Sequence, residues 1–82
     1  MRIDKYINAV NLTKRRAIAQ DMIKHDAVQL NGIVAKASKA VKVGDIITFV
    51  YLEYTKVYKV LKIPTTKSIP KSLKDEYIEE IS

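Results

Sequence analysis

Apolar side chains recur at Ile3, Tyr6, Ile7 and Val10, a spacing that lines one face of a short helix over residues 3–12. Asp4 falls in its first turn, where the helix dipole favours a carboxylate. Asn11 breaks the pattern, and Thr13 is the predicted cap of a second helix running to about His25. In that helix Ile18, Ala19, Met22 and Ile23 form the expected buried arc, while Thr13, Arg16, Gln20 and Lys24 share the opposite side at steps of three and four. Arg15 falls near the middle of the apolar arc, a conflict the helical wheel alone does not resolve. After Asp26 the period shortens to two. Val28 and Leu30 alternate with Gln29, and Asn31-Gly32 separates them from Ile33-Val34-Ala35. Asn-Gly between apolar runs predicts a tight hairpin, because both turn positions need positive φ.

A loop Lys36-Ala37-Ser38-Lys39 follows, then Val41, Val43 and a Gly44-Asp45 turn. Ile46–Leu52 and Lys56–Ile63 read as two strands rich in β-branched and aromatic residues, paired through a turn around Glu53-Tyr54. Pro64 ends the last strand, and Thr65–Lys71 reads as a mobile connector. Ser72 with Asp75 resembles a capping pair, and Leu73, Tyr77 and Ile81 would share a face of a short terminal helix. The pattern therefore predicts one small α+β domain: two N-terminal helices packed on a short antiparallel sheet, with a C-terminal helix. Residues 1–50 form the expected core, 51–64 continue it as a strand pair, and 65–82 are connector and helix.

Composition narrows the function. With 82 residues, 48% of them hydrophobic, and only two prolines and two glycines, the chain is a folded domain rather than a disordered tail. Cysteine is absent and histidine occurs once, which leaves no thiolate or paired-histidine metal site. No cofactor is expected. His25 suits the dipole at the end of the second helix better than it suits general-base chemistry. Asp75, Glu76, Glu79 and Glu80 read as a solvated face. The start of the chain lacks the apolar run of a signal peptide, and no stretch has the length of a membrane span, so a soluble cytoplasmic monomer is expected.

Charge changes the picture most. Of the net +6, all belongs to residues 1–44, where nine Lys and Arg meet three acids; residues 45–82 balance six lysines with six acids. A basic half on a neutral half is the footprint of a protein that touches phosphate. Lys14-Arg15-Arg16 opposes the dipole at the start of its helix, so an external anion is the natural counter-charge. Arg16, Gln20 and Lys24 continue that stripe. The Lys36–Ser38 loop, with Lys39 beside it, adds cations and a hydroxyl from a second segment, as a backbone-phosphate cradle requires. Lys42 is assigned to solubility. Asn31 is read first as turn chemistry, with RNA contact as a secondary role.

These residues also match a family. Arg2-Ile3-Asp4-Lys5-Tyr6-Ile7, Thr13-Lys14-Arg15-Arg16-Ala17, Met22-Ile23, Val28-x-Leu30-Asn31-Gly32, Lys36-Ala37-Ser38 and Val43-Gly44-Asp45 resemble, in order and at the usual spacing, the S-four RNA-binding domain. The opening Arg-Ile-Asp-Lys looks most like its stand-alone bacterial members, the heat-shock-protein-fifteen and ribosome-associated quality-control protein P group. The resemblance implies no catalysis. It implies binding to rRNA and tRNA on a large ribosomal subunit obstructed by peptidyl-tRNA, alongside another quality-control factor. It maps Arg2, Lys5, Lys14, Arg15, Arg16, Gln20, Asn31, Lys36 and Ser38 to the RNA-facing surface. One position departs from it: Asp26 stands where the family usually has glycine. Two other readings are an assembly or general structured-RNA factor, and a protein adaptor using Tyr51, Tyr54 and Tyr58 with the acidic terminal helix.

Overall fold

The computed structural model describes residues 1–13 and 15–82. Two helices, α1 (Ile3–Ala9) and α2 (Arg16–Lys24), precede strands β1 (Val28–Leu30), β2 (Ile33–Val34), β3 (Ile46–Val50) and β4 (Thr55–Val60). A 3-10 turn (Lys71–Leu73) runs into α3 (Lys74–Tyr77) and a last strand, β5 (Ile78–Glu80). All five strands form one antiparallel sheet in the order β2-β1-β3-β4-β5.

Period-two alternation puts Val28, Leu30, Ile47, Phe49, Tyr58 and Val60 on one face, held in register by the pairs Val28–Phe49, Leu30–Ile47 and Ile47–Tyr58. Against that face α1 buries Ile3, Tyr6, Ile7 and Val10, and α2 buries Ala19 and Ile23. Each fully buried large side chain of this kind contributes roughly 1.5–3 kcal/mol. Ile18 departs from the expected arc. It is 40% exposed, because α2 meets the core along the narrower Ala19–Ile23 line.

Both helices stop by the same device, without glycine. Beyond α1, Asn11 takes φ 58°; its N–H donates to the Asn8 carbonyl (3.2 Å) and that of Leu12 to Ile7 (3.1 Å). Beyond α2, Asp26 also takes φ 58°, with Asp26 N–H donating to Ile23 (3.1 Å) and Ala27 N–H to Met22 (2.9 Å). These paired bonds are a Schellman ending, which absorbs the last carbonyls of a helix. Aspartate thus does the work of the family's usual glycine. The hairpin is of the expected kind: Asn31 at φ 53° and Gly32 at φ 82° join β1 to β2.

The expected terminal helix is corrected by the structure. Only Lys74–Tyr77 is α-helical, and the chain then straightens so that β5 pairs with β4, Ile78 opposite Val60 and Glu80 opposite Tyr58. Of Leu73, Tyr77 and Ile81, predicted to share a face of that helix, Tyr77 packs against the core, Leu73 and Ile81 are exposed and Ile81 lies beyond the helix, and the Ser72–Asp75 pair makes no cap bond. A helix this short cannot hold itself, whereas an open strand edge supplies backbone partners and a pocket for Ile78. Nor is the connector loose. Ile69 is buried, its N–H donates to the Ala9 carbonyl (3.0 Å), and Asn11 Nδ2 donates to the Ile69 carbonyl (3.1 Å).

Asp26→Gly should raise stability, since it relieves a left-handed non-glycine residue and removes a carboxylate from the negative end of a helix dipole. A gain of up to about 1 kcal/mol corresponds to a melting temperature higher by roughly 4–8 °C in a domain this size; an unchanged or lower value by calorimetry would contradict the strain assigned to Asp26.

A second expectation concerns alkaline pH. Burial, and then the neighbouring Glu80 carboxylate, pushes the Tyr58 hydroxyl up to about 12, and burial pushes Tyr6 up as well. An unfolded tyrosine ionises near about 10. The folded state therefore holds its protons longer, so this stabilisation is complete below that pH and is lost as pH rises through about 12. Denaturant unfolding followed from neutral to strongly alkaline pH should show the fall, and Glu80→Gln should lower the pH at which Tyr58 titrates.

Candidate nucleic-acid interface

The start of α1 is where the structure first assembles cations from separate segments. Like any helix, α1 begins with N–H groups that lack an internal partner, and it has no side-chain cap. The 36–41 loop supplies partners instead. Ile3 N–H donates to the Lys39 carbonyl (2.7 Å), Asp4 N–H to Ala37 (3.3 Å), and Val41 N–H returns to Met1 (2.8 Å). Lys5 N–H is taken by the Asp4 carboxylate at 2.8 Å. These bonds set Arg2 and Lys5 beside Lys36, Ser38 and Lys39, residues far apart in the chain.

Asp4 does a second task. Its carboxylate is nearly buried and accepts the Arg2 guanidinium as a fork, Nε to Oδ1 at 3.1 Å and Nη2 to Oδ2 at 3.0 Å. Two donors are spent on Asp4, and the exposed remainder of the guanidinium is held in one orientation. Arg2 is therefore a positioned cation, unlike the freely moving lysines around it.

The second cluster lies on α2. Arg15 is the residue before the helix, extended at φ −135° and ψ 144°, which removes its conflict with the apolar arc: it is not on the wheel. Arg16, Gln20 and Lys24 line a shallow surface groove along the helix with Ala17 and Asp21, as the spacing predicts. Among the described residues neither Arg15 nor Arg16 has an ion-pair partner. Lys14, predicted to belong to the same cluster, lies outside the described residues. At the far end His25 Nδ1 bonds the Asp21 carbonyl (2.8 Å), a helix-end role.

Thr13 is not the cap it was expected to be. Its hydroxyl donates to the Arg15 carbonyl (3.0 Å) instead of accepting from an α2 N–H, and it lines a groove shared with the C-terminal segment, not the one lined by Arg16, Gln20 and Lys24. Asn31 proves to be structural beyond its φ. Its amide oxygen accepts the Ile46 N–H (2.9 Å) and its nitrogen donates to Asp45 Oδ1 (3.1 Å), while Asp45 Oδ2 accepts the Lys42 N–H (2.8 Å). This clasp ties the hairpin to the Gly44-Asp45 turn. Lys36, Ser38 and Lys39 share a groove with the hairpin, so the clasp also sets the loop's background. Of the tyrosines suggested for an adaptor, Tyr58 is buried, while Tyr54 is exposed and stacks with Tyr51 at 4.7 Å between centroids.

The structure is a helix pair laid on an antiparallel sheet, with exposed cations on α1, on α2 and on one loop. Residues 1–47 match the S4 domain, and the chain belongs to that family. The RQC P-site tRNA stabilizing factor of Helicobacter pylori is 49% identical over 78 residues, 95% of this chain and 93% of its own length. The protein of the same name from Halalkalibacterium halodurans is 33% identical over 86 residues, covering 98% of each. Among solved structures, a hypothetical protein determined in solution superposes with a TM-score of 0.85 at 46% identity, covering 100% of this chain and 98% of that one. Vibrio cholerae Heat Shock Protein 15, solved as a trimer, gives 0.84 at 28% identity, covering 100% and 82%.

Asn31→Ala tests the clasp. It leaves the Ile46 N–H without its acceptor and puts alanine at positive φ, so the expected loss is about 2–3 kcal/mol from strain and hydrogen bonding together. Chemical denaturation measures it, and a loss near zero would mean the clasp is not formed in solution.

Proposed function

We propose that this chain is a cytoplasmic RNA-binding factor that holds tRNA and rRNA together on a large ribosomal subunit during quality control of stalled nascent chains. The observation that carries the reading is the docking of the 36–41 loop on α1, which brings together the segments that carry Arg2, Lys5, Lys36, Ser38 and Lys39; Arg2 is paired with Asp4 yet about half exposed, and the three lysines have no ion-pair partner among the described residues. With the α2 stripe of Arg16, Gln20 and Lys24, the helical side offers two cationic tracks built on separate segments. Two tracks suit two phosphate backbones, which is what a tRNA lying against rRNA presents. The names carried by the relatives point the same way, and they are those of a stabilizing factor, not of an enzyme. Affinity comes from phosphate contacts, and selectivity from the shape of the composite surface rather than from base edges.

The test compares binding to purified large subunits with and without peptidyl-tRNA at near-physiological salt. Tighter binding to the loaded subunit is expected. Equal binding would remove the quality-control role while leaving general RNA binding in place. Arg16→Ala, exposed and without a partner among the described residues, should weaken binding at an unchanged melting temperature. The slope of log affinity against log salt should fall by about one unit for that lost phosphate contact.

A further inference from the structure

Counted along the chain, residues 45–82 are electrically neutral; arranged in space, they are not uniformly so. Lys56 stands on the helix-facing side of β4, in register with Phe49. Lys71 and Lys74 come from the 3-10 turn and α3. All three line one groove, whose other wall is Asn11 and Thr13 of the α1–α2 turn. Glu53 sits in the β3–β4 turn, and neither it, Glu76 nor Glu79 lines that groove. Two acids do line it. Glu80 faces Lys56 across 3.8 Å with both side chains about half exposed, a loose pair of the kind worth little in water. Asp75 is the other. Against these two acids stand three lysines.

The groove is firmly held. Ile69 is bonded to the end of α1, and the Tyr77 carbonyl accepts the Tyr6 hydroxyl (2.9 Å) and the Leu61 N–H (2.9 Å). Lys71 and Lys74 lie between these two anchors. At its α1–α2 end the groove is lined by Thr13, whose hydroxyl is bonded to the carbonyl of Arg15, the residue that precedes α2, so the groove and the α2 stripe meet at the start of that helix.

We propose that the C-terminal segment is part of the RNA interface, with Lys56, Lys71 and Lys74 contacting the sugar–phosphate backbone of the strand that runs along α2. The assignment rests on the RNA-binding reading and extends it to a segment outside the residues matched to the S4 domain. Leu12, Tyr58 and Ile78 also line the groove but are buried, so its accessible side chains are mainly the lysines and polar residues, which favours a phosphate tract over an apolar protein segment, and its meeting with the start of α2 favours RNA over an acidic protein.

The experiment measures affinity for purified tRNA and for large subunits across a salt series. The variants are Lys71→Gln with Lys74→Gln, against a control of equal charge, Lys59→Gln with Lys67→Gln, two lysines outside the groove. The groove variant should lose one to two units of salt slope, about one per contact, and several-fold more affinity than the control, at an unchanged melting temperature. Glu80→Gln should do the reverse, strengthening binding by freeing Lys56. Equal losses in the two double variants, or no loss in the groove variant, would overturn the assignment; an intact RNA slope would leave an acidic protein as the groove's occupant. A wild-type chain that binds neither probe would overturn the RNA-binding reading itself, and this inference with it.

Discussion

Everything in this molecule depends on how α1 is held. Seven residues make two turns, too few for a helix to persist in water by itself. Its N–H groups at the start are taken by the loop carbonyls of Ala37 and Lys39 and by the Asp4 carboxylate, and its far end is tied to Ile69 in both directions. Between those ends, Tyr6 is wholly buried and reaches the Tyr77 carbonyl. The helix is thus an insert gripped by three other parts of the chain. The grip on its start is also what sets the cationic loop beside Arg2 and Lys5, so one set of hydrogen bonds serves both fold and surface.

Features determined by neighbours in sequence were legible before the structure was. The Asn31-Gly32 turn follows from the backbone preference of two adjacent residues, and the β3–β4 pair from alternation over a short span. The left-handed exit at Asp26 follows from where a helix must end. What sequence could not show was determined by distant partners. A strand edge left open by β4 cuts the expected terminal helix short at Tyr77 and takes the residues after it as β5, and no local pattern in Lys74–Ser82 records that edge. The burial of Ile69 likewise needs the end of α1 as its receptor. Ile18 is exposed because the α2 contact line is narrow, which depends on the small side chain of Ala19 meeting the sheet, not on the wheel.

The surface follows the same division. Cations declare themselves, because an exposed Lys or Arg with no partner has few roles other than solvation or an anion. The residues that position them do not. Asp4 reads as a favourable helix-start acid and turns out to be the seat of the Arg2 fork. Asn31 reads as a turn residue and turns out to be half of a clasp with Asp45. Thr13 was expected to cap, and Arg15 to lie on, a helix that begins only at Arg16, and moving that boundary by two residues leaves Thr13 in the C-terminal groove. Helix starts are the least certain feature of a periodic pattern, and here a binding surface hangs on one.

The bond from Tyr6 to Tyr77 joins residues 71 apart in the chain, and that from Asn11 to Ile69 joins residues 58 apart. Contacts of such separation form late, after the loops they close have been ordered. A chain emerging from a ribosome amino end first therefore exposes Arg2 to Lys24 well before the segment that anchors them has left the exit tunnel. Until Ile69 and Tyr77 arrive, the first helix lacks the bonds at its far end and the Tyr6 hydroxyl lacks its acceptor. The complete grip on the first helix is therefore delayed until both of those residues have emerged.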